Sequence, residues 1–141
     1  MWKRFWRLSR SGVFKAFFQP LAETSKTVHL MQMFDSTVTR AHVSAAGAKG
    51  GQRNQALGRS RGGFSCKIHL KTDFDGPPIG LHLTGGEASN CTQLATSLDI
   101  GPDITPRAAM TDKGYDSKAT RAACRQRGIL PVIPYRSNAR D

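Results

Sequence analysis

One segment limits what this chain can fold into more than any other. Residues 28–37, Val-His-Leu-Met-Gln-Met-Phe-Asp-Ser-Thr, form an apolar run that ends on Asp35 and passes at once into small hydroxyl residues. Apolar side chains occupy both alternating faces of the run, which is typical of a central strand covered on both sides. We therefore predict a buried strand over residues 28–39 that brings Asp35 to its end.

A second segment, residues 108–115, repeats this arrangement, since a short apolar stretch delivers Asp112 beside Lys113 and Gly114. If the two strands are parallel neighbours, their carboxyl ends meet at one edge of the sheet and the two carboxylates face each other. Unpaired carboxylates that close repel each other, and a divalent cation relieves the repulsion. Hard oxygen ligands suit Mg²⁺ or Mn²⁺. We predict that Asp35 and Asp112 are parts of a metal-dependent nuclease site, with a cap or turn role for both as the open alternative.

The charge balance indicates the partner. The chain has 21 Lys and Arg against 10 Asp and Glu, a net charge of +11 and a pI near 10.3. A small domain with this field attracts polyanions, so nucleic acid is the expected partner, and a solvated basic surface or a ribosomal protein is the plainer alternative. No apolar run approaches the roughly 20 residues that span a bilayer, so no membrane partner is expected.

Few other residues form a pattern with chemical meaning. The three cysteines, Cys66, Cys91 and Cys124, include no Cys-x-x-Cys pair, which argues against a structural zinc site and a disulfide framework and fits a reducing cytosol. Asp116 resembles a helix N-cap. The remaining candidates are expected to be turn, surface or ladder residues: Asp73, Asp75, His29, His42, His69 and His82.

The first 63 residues predict helices, one strand and a loop. Apolar steps of three and four over residues 2–19 predict two short helices, the second ended or kinked by Pro20. Such a pair commonly packs on a core, and a helix-turn-helix that contacts DNA is the alternative. Residues 40–63 are rich in glycine and basic residues and predict a loop, either a disordered linker or one that orders on DNA phosphates.

Downstream, period-two and helical patterns alternate. Phe64, Cys66, Ile68 and Leu70 share one face of the first strand of a hairpin, and Pro131 places the last strand at an edge because proline cannot donate to a ladder. This order predicts an α/β fold, a mixed sheet flanked by helices. The predicted elements are strands at 64–72 and 79–84, a turn at 73–78, helices at 87–98 and 117–127, a strand at 108–111 and a strand at 129–135.

Six ordered motifs resemble the DDE transposases of bacterial insertion sequences, and the insertion-sequence-five group in particular. The basic, aromatic start over residues 5–14 also resembles the region upstream of that family's catalytic domain. The six motifs are Phe-Asp-Ser-Thr-Val-Thr-Arg-Ala-His at 34–42, Ala-Ala-Gly-Ala at 45–48, Gly-Arg-Ser-Arg-Gly-Gly-Phe-Ser-Cys-Lys-Ile-His at 58–69, Leu-Thr-Gly-Gly at 83–86, Thr-Asp-Lys-Gly-Tyr-Asp-Ser at 111–117 and Leu-Pro-Val-Ile-Pro-Tyr-Arg at 130–136.

The resemblance implies a ribonuclease-H-like fold over residues 27–141, preceded by a basic helical segment at 1–26. It implies that Asp35 and Asp112 are the first two catalytic, metal-binding carboxylates of a transposase. Such an enzyme uses Mg²⁺ (or Mn²⁺) to cut the ends of an insertion sequence and to join the freed 3′-hydroxyl to target DNA. The expected partners are DNA and a second copy or a full-length transposase, at the nucleoid in the bacterial cytoplasm, with no small-molecule substrate. By the same analogy, the residues that contact the DNA backbone are Arg40, Arg59, Arg61, Lys67 and Lys113.

The chain departs from the family pattern after Asp112. The family's third carboxylate is a glutamate on a helix beyond the last strand, whereas residues 113–141 contain no glutamate. We therefore expect a truncated fold that is incomplete at its C-terminus, weak metal binding, impaired catalysis and an exposed apolar patch on the uncovered sheet. A non-catalytic DNA-binding protein that regulates or competes with a full-length transposase is the alternative.

Overall fold

The computed structural model describes residues 2–42 and 55–137. None of the helices in these ranges is long and apolar enough to cross a membrane. The helices are α1 (Trp2–Arg10), α2 (Val13–Thr24), α3 (Asn90–Leu98), α4 (Lys118–Gln126) and one 3-10 helix (Lys113–Tyr115), and the strands are β1 (Met31–Arg40), β2 (Gly58–Ser60), β3 (Gly63–Asp73), β4 (Pro78–Gly85), β5 (Ala108–Thr111) and β6 (Leu130–Val132).

Strand β1 is the centre of one mixed sheet. It pairs antiparallel with β3 on one side and parallel with β5 on the other, and β6 runs parallel to β5 at the far edge. The other edge of β3 is shared by β4 and, near the start of β3, by the short strand β2. The predicted mixed sheet is confirmed, and so is the parallel pairing of the strand at 108–111 with the first strand.

The helices cover the face of β3 that carries its polar residues. The alternating pattern marks the other face as the apolar one, yet His69, Lys71 and Asp73 are among the buried residues of β3. A buried charge is costly unless it is hydrogen-bonded. The Lys71 ammonium meets this condition because it donates to the carbonyl oxygens of Leu98 (3.2 Å) and Ile100 (2.8 Å) at the end of α3.

The opposite face of the sheet is open at β4 and β6. Leu81, Leu83 and Leu130 expose 40%, 50% and 65% of their surface. On the same face, Leu70 pairs with Leu81 and Ile68 pairs with Leu83 across the β3–β4 ladder. The neighbouring apolar side chains of β3 and β4 form an exposed patch of the kind that was expected on the sheet, and Leu130 is exposed separately at the β6 edge.

Two apolar clusters join the helices to the sheet. The smaller one packs Ala22 of α2 against Val28 and Ile79. Pro20 was predicted to end or kink this helix; it does not end it, since α2 continues to Thr24. Burial of the last turn offsets the hydrogen bond that proline cannot donate. The larger cluster lies between the centre of the sheet and α3 and α4, and consists of Phe34, Leu94, Ala109, Tyr115, Cys124 and Ile129.

Two local boundaries differ from the predicted ones for reasons visible in the hydrogen bonds. Strand β1 begins later than residue 28, because the Thr27 carbonyl accepts from the amides of Leu30 and of the residue after it and closes a turn. The N-cap of α4 is Ser117 and not Asp116. The Ser117 Oγ accepts from the amide of Thr120 at 3.0 Å, which is the bond that an N-cap provides.

Other predicted elements are only partly realised. Strand β6 is shorter than the predicted strand at 129–135, and α3 begins three residues after position 87. The predicted loop at 40–63 contains β2, and residues 43–54 of that loop lie outside the described residues. In the N-terminal helices, Phe17 and Val13 stay exposed, so the packing of this pair on the core is made by the end of α2.

Candidate active site

The two predicted aspartates lie side by side where the β1–β5 ladder ends. The last parallel pair is Phe34 with Thr111, so Asp35 and Asp112 are the next residues on the two neighbouring strands. The predicted position of Asp35 at the end of its strand is wrong, since β1 runs on to Arg40. It continues because β3 still supplies hydrogen-bond partners after β5 has stopped. Asp35 therefore lies at the end of the parallel ladder and not at the end of the strand.

A backbone amide holds one oxygen of each carboxylate. Asp35 Oδ1 accepts from the amide of Ser36 at 2.7 Å, and Asp112 Oδ1 accepts from the amide of Gly114 at 3.0 Å as it caps the 3-10 helix. Within the described ranges, neither Oδ2 atom accepts a hydrogen bond. Both residues are exposed, so each presents a free oxygen to solvent. A cap role is thus found for Asp112, whereas Asp35 lies within a strand.

A buried tyrosine lies beside both carboxylates. Tyr115 is 0% exposed, and burial raises the pKa of its hydroxyl to about 12, opposed by the contact with Ser36 and helped by the negative charges of Asp35 and Asp112. The hydroxyl faces Ser36 but forms no hydrogen bond of ordinary geometry within the described ranges. Because the charges of Asp35 and Asp112 both raise the pKa of the Tyr115 hydroxyl, the two carboxylates lie around the same side chain.

The donor set fits part of a site for a hard divalent cation. Two exposed carboxylate oxygens without hydrogen bonds are ligands that Mg²⁺ and Mn²⁺ accept, with water and phosphate oxygens completing the shell. Residues 2–42 and 55–137 contain no group of three or more His, Cys, Asp or Glu residues that could hold a metal ion. The protein ligands that this part of the chain offers are therefore the Asp35–Asp112 pair.

Comparison with known proteins decides the family. Residues 28–141, which include both aspartates, match the family model described as the transposase DDE domain. The chain belongs to this family. The match does not decide the subgroup, so the resemblance of this DDE domain to the insertion-sequence-five group stays a prediction.

Two relatives show how far the likeness extends. The chain is 40% identical over 79 residues to a Burkholderia cepacia protein named as a transposase for insertion sequence element IS402, and the match covers 50% of this chain and 37% of that protein. The structure of the present chain is similar to that of the Mos1 strand transfer complex, with a TM-score of 0.50 and 13% identity. The match covers 84% of this chain and 38% of the Mos1 chain. This likeness confirms the ribonuclease-H-like fold. The chain spans less than two fifths of the length of either relative.

Three of the predicted DNA-contact residues of this DDE domain lie together at one end of β1 and β3, and we call them the basic tip. Arg40, Arg59 and Arg61 are exposed there. The Arg59 guanidinium lies 4.9 Å from the centre of the Phe64 ring, an arrangement that holds the side chain while keeping its charge. At about 3.3 Å per strand residue, the tip lies roughly 17 Å along β1 from Asp35.

The two predicted lysines are placed differently. Lys113 is exposed and follows Asp112 directly. Lys67 is half-buried, and its ammonium donates to the Ala88 carbonyl and to Asn90 Oδ1 (3.1 Å). Lys67 therefore fastens the start of α3 to β3, and Lys113 is the lysine that faces solvent at the carboxylates.

The sequence interpretation missed an ion-pair network that holds the loop after the second aspartate. Arg121 donates to Asp116 Oδ1 through Nε (3.2 Å) and Nη2 (2.8 Å), while Asp116 Oδ2 accepts from the Arg136 amide (2.9 Å). These contacts lower the pKa of Asp116, the Arg136 amide most and the Arg121 side chain next. The Arg136 side chain donates to the carbonyls of Lys113 (3.2 Å) and Gly114 (3.1 Å). The only sequence signal for Arg136 is its place at the end of the last of the six motifs.

Proposed function

We propose that this DDE domain carries the first two carboxylates of a transposase active site that cleaves DNA at the ends of an insertion sequence and joins the freed 3′-hydroxyl to target DNA. The observation that carries the proposal is the register of the β1–β5 ladder, which makes Asp35 and Asp112 neighbours. Their free Oδ2 atoms and their common effect on Tyr115 support a joint role.

The carboxylates would hold Mg²⁺ or Mn²⁺ against the phosphate that reacts. The amides of Ser36 and Gly114 restrain the Oδ1 atoms, so the Oδ2 atoms of Asp35 and Asp112 are oriented before the DNA arrives. A bound ion supplies activation of the attacking water or 3′-hydroxyl and stabilisation of the leaving oxygen. Tyr115, with a pKa of about 12, stays protonated at neutral pH and adds no charge to the site.

A site with two carboxylates binds its ion weakly. Residues 113–141 offer no glutamate for the third position of the family pattern, and fewer charged ligands give lower affinity for a hard cation. We expect both metal binding and strand transfer to be impaired when this chain acts alone. We propose a second copy or a full-length transposase as the protein partner.

DNA is the partner that the surface supports, with the bacterial nucleoid as the place of action. The net charge of +11 draws the chain to a polyanion. The basic tip of Arg40, Arg59 and Arg61 lies further along the sheet from Asp35, and the exposed Lys113 directly follows Asp112. Contacts of this kind go to phosphates and fix the position of the duplex without reading its sequence.

The test of the site assignment is Mn²⁺-dependent nicking of supercoiled DNA. Asp35→Ala and Asp112→Ala should each abolish the residual nicking, because either change leaves a single carboxylate for the ion. Asp103→Ala is the matched control, since Asp103 is an exposed aspartate in the loop before β5. Nicking that persists unchanged in both site variants would overturn the assignment.

A second candidate function is DNA binding without catalysis, as a regulator or competitor of a full-length transposase. Residues 2–42 and 55–137 hold no group of three or more possible metal ligands, and this finding together with the high positive charge favours this reading. It predicts salt-sensitive DNA binding in EDTA and no metal-dependent cleavage. Absence of DNA binding at low salt contradicts both candidate functions.

A further inference from the structure

A cavity lies directly beside the second aspartate. It has a volume of about 300 Å³ and is lined by Lys113, Gly114, Arg136 and Ser137. Lys113 and Gly114 are the two residues that follow Asp112, so a group bound in the cavity lies next to that carboxylate. Among the described residues, its lining includes two cations and no acid, which suits an anion.

The guanidinium of Arg136 is fixed in the wall of this cavity. Nε donates to the Lys113 carbonyl (3.2 Å), and Nη2 donates to the Gly114 carbonyl (3.1 Å) and to Cys91 Sγ (3.6 Å). Within the described ranges, Nη1 makes no hydrogen bond. A guanidinium that is held along one edge loses little further freedom when its other edge binds an oxyanion.

In the described part of the chain, no acidic side chain forms an ion pair with the two cations of the cavity. Arg136 donates its side-chain hydrogen bonds to two carbonyl oxygens and a cysteine sulfur. Asp116 takes only the backbone amide of Arg136 and forms its ion pair with Arg121 at 2.8 Å. Lys113 is exposed and forms no ion pair in the described part of the chain. Two cations without an acidic partner in the described ranges therefore lie at the residues that follow Asp112.

We propose that Lys113 and Arg136 form a phosphate-binding subsite for the DNA backbone, beside the phosphate at which Asp35 and Asp112 act. The proposal rests on the proposed function, because DNA is the ligand in both. Two carboxylates repel an approaching phosphate, and cations next to them offset the repulsion. The free edge of the Arg136 guanidinium orients one phosphate oxygen, and the Lys113 ammonium acts as a mobile point charge. The contact is independent of base sequence.

The test is the salt dependence of DNA binding by the whole chain in EDTA. The slope of log K against log salt is negative, and each phosphate contact that is lost reduces its magnitude by about 0.9. We expect this loss for Lys113→Ala and for Arg136→Ala, with the same loss on two unrelated duplexes. Arg136→Lys should keep most of the slope but bind more weakly, since lysine keeps the charge and loses the planar fork.

Matched controls separate this subsite from net charge and from folding. Lys26→Ala removes an exposed lysine from the segment just after α2, and Arg127→Ala removes the arginine that is paired with Asp99. Both variants should leave the slope unchanged. If Arg136→Ala fails to fold, Lys113→Ala still tests the subsite. The Lys113 ammonium forms no ion pair in the described part of the chain, so its removal should not disturb the fold. Slopes for Lys113→Ala equal to those of the controls overturn the subsite. Because EDTA removes the metal, this result is independent of whether Asp35→Ala abolishes nicking.

Discussion

The imidazole rings of His69 and His82 stack across the β3–β4 ladder, with their centres 4.5 Å apart. His69 Nε2 lies 2.9 Å from Thr84 Oγ1 and His82 Nε2 lies 3.3 Å from Gln93 Oε1. Both Nδ1 atoms are buried without a partner in the described ranges. Burial lowers the pKa of both rings, and with the charges of His82 and Lys67 it lowers the pKa of His69 to about 4. The prediction that His69 and His82 are ladder residues is confirmed. The spacing of the residues in the sequence could not show that His69 is buried.

The lowered pKa of His69 predicts sensitivity to acid. The unfolded histidine binds its proton near pH 6.5 and the folded one near pH 4, so the unfolded state holds more protons in that interval. The contribution of His69 to the free energy of unfolding is therefore fully present above pH 6.5, and it is lost as the pH drops toward 4. At about 1.4 kcal/mol per pKa unit, we expect a loss of up to about 3 kcal/mol in the free energy of unfolding. Urea unfolding at a series of pH values measures it.

Two variants make this measurement specific. In His69→Gln the fall of stability between pH 6.5 and 4 should be much smaller, because the titrating ring is gone while an amide can still bond to Thr84. His29→Gln, at an exposed position, should keep the full fall. The same pH dependence in the unmodified chain and in His69→Gln would show that this ring is not its source.

At the scale of elements, β3 shows which structural features depend on the local sequence and which depend on distant segments. Its period-two pattern is local, so the strand at 64–72 is predicted almost to its ends. Which face the helices cover depends on α3. The carbonyls of its last residue, Leu98, and of Ile100 just after it accept hydrogen bonds from Lys71, which lies 27 and 29 residues away in sequence. Burial lowers the pKa of Lys71 to about 8. No local pattern indicates that a lysine will lie inside, because its acceptors exist only after α3 has packed on the sheet.

The helix starts offer a matched pair of variants. Ser117 caps α4, since its Oγ accepts from the amide of Thr120 at 3.0 Å, whereas Ser89 stands at the N-cap of α3 without a side-chain hydrogen bond. We expect Ser117→Ala to lower the free energy of unfolding by about 1 kcal/mol, and Ser89→Ala to change it by only a few tenths of that. Urea unfolding at neutral pH compares the two. A loss of the same size in both variants would mean that the cap bond of α4 contributes nothing measurable.

At the scale of the whole molecule, the sheet and the aspartate pair were accessible to sequence reasoning for the same reason. Each aspartate follows an apolar run, and parallel neighbouring strands bring such positions together. The observed register does place Asp35 beside Asp112, as this reasoning predicts. The surroundings of the pair were not accessible. Arg136 reaches the carbonyls of Lys113 and Gly114 across 23 and 22 residues, and no local pattern indicates these contacts.

The central claim is that Asp35 and Asp112 bind one divalent cation together. Titration with Mn²⁺, followed by the electron paramagnetic resonance signal of the free ion, counts the ions that the protein binds. The proteins to compare are the unmodified chain, Asp35→Asn, Asp112→Asn and the control Asp103→Asn. We expect one weak site in the unmodified chain and in the control, and loss of that site in each of the other two variants. Equal Mn²⁺ binding by all four proteins would contradict the claim.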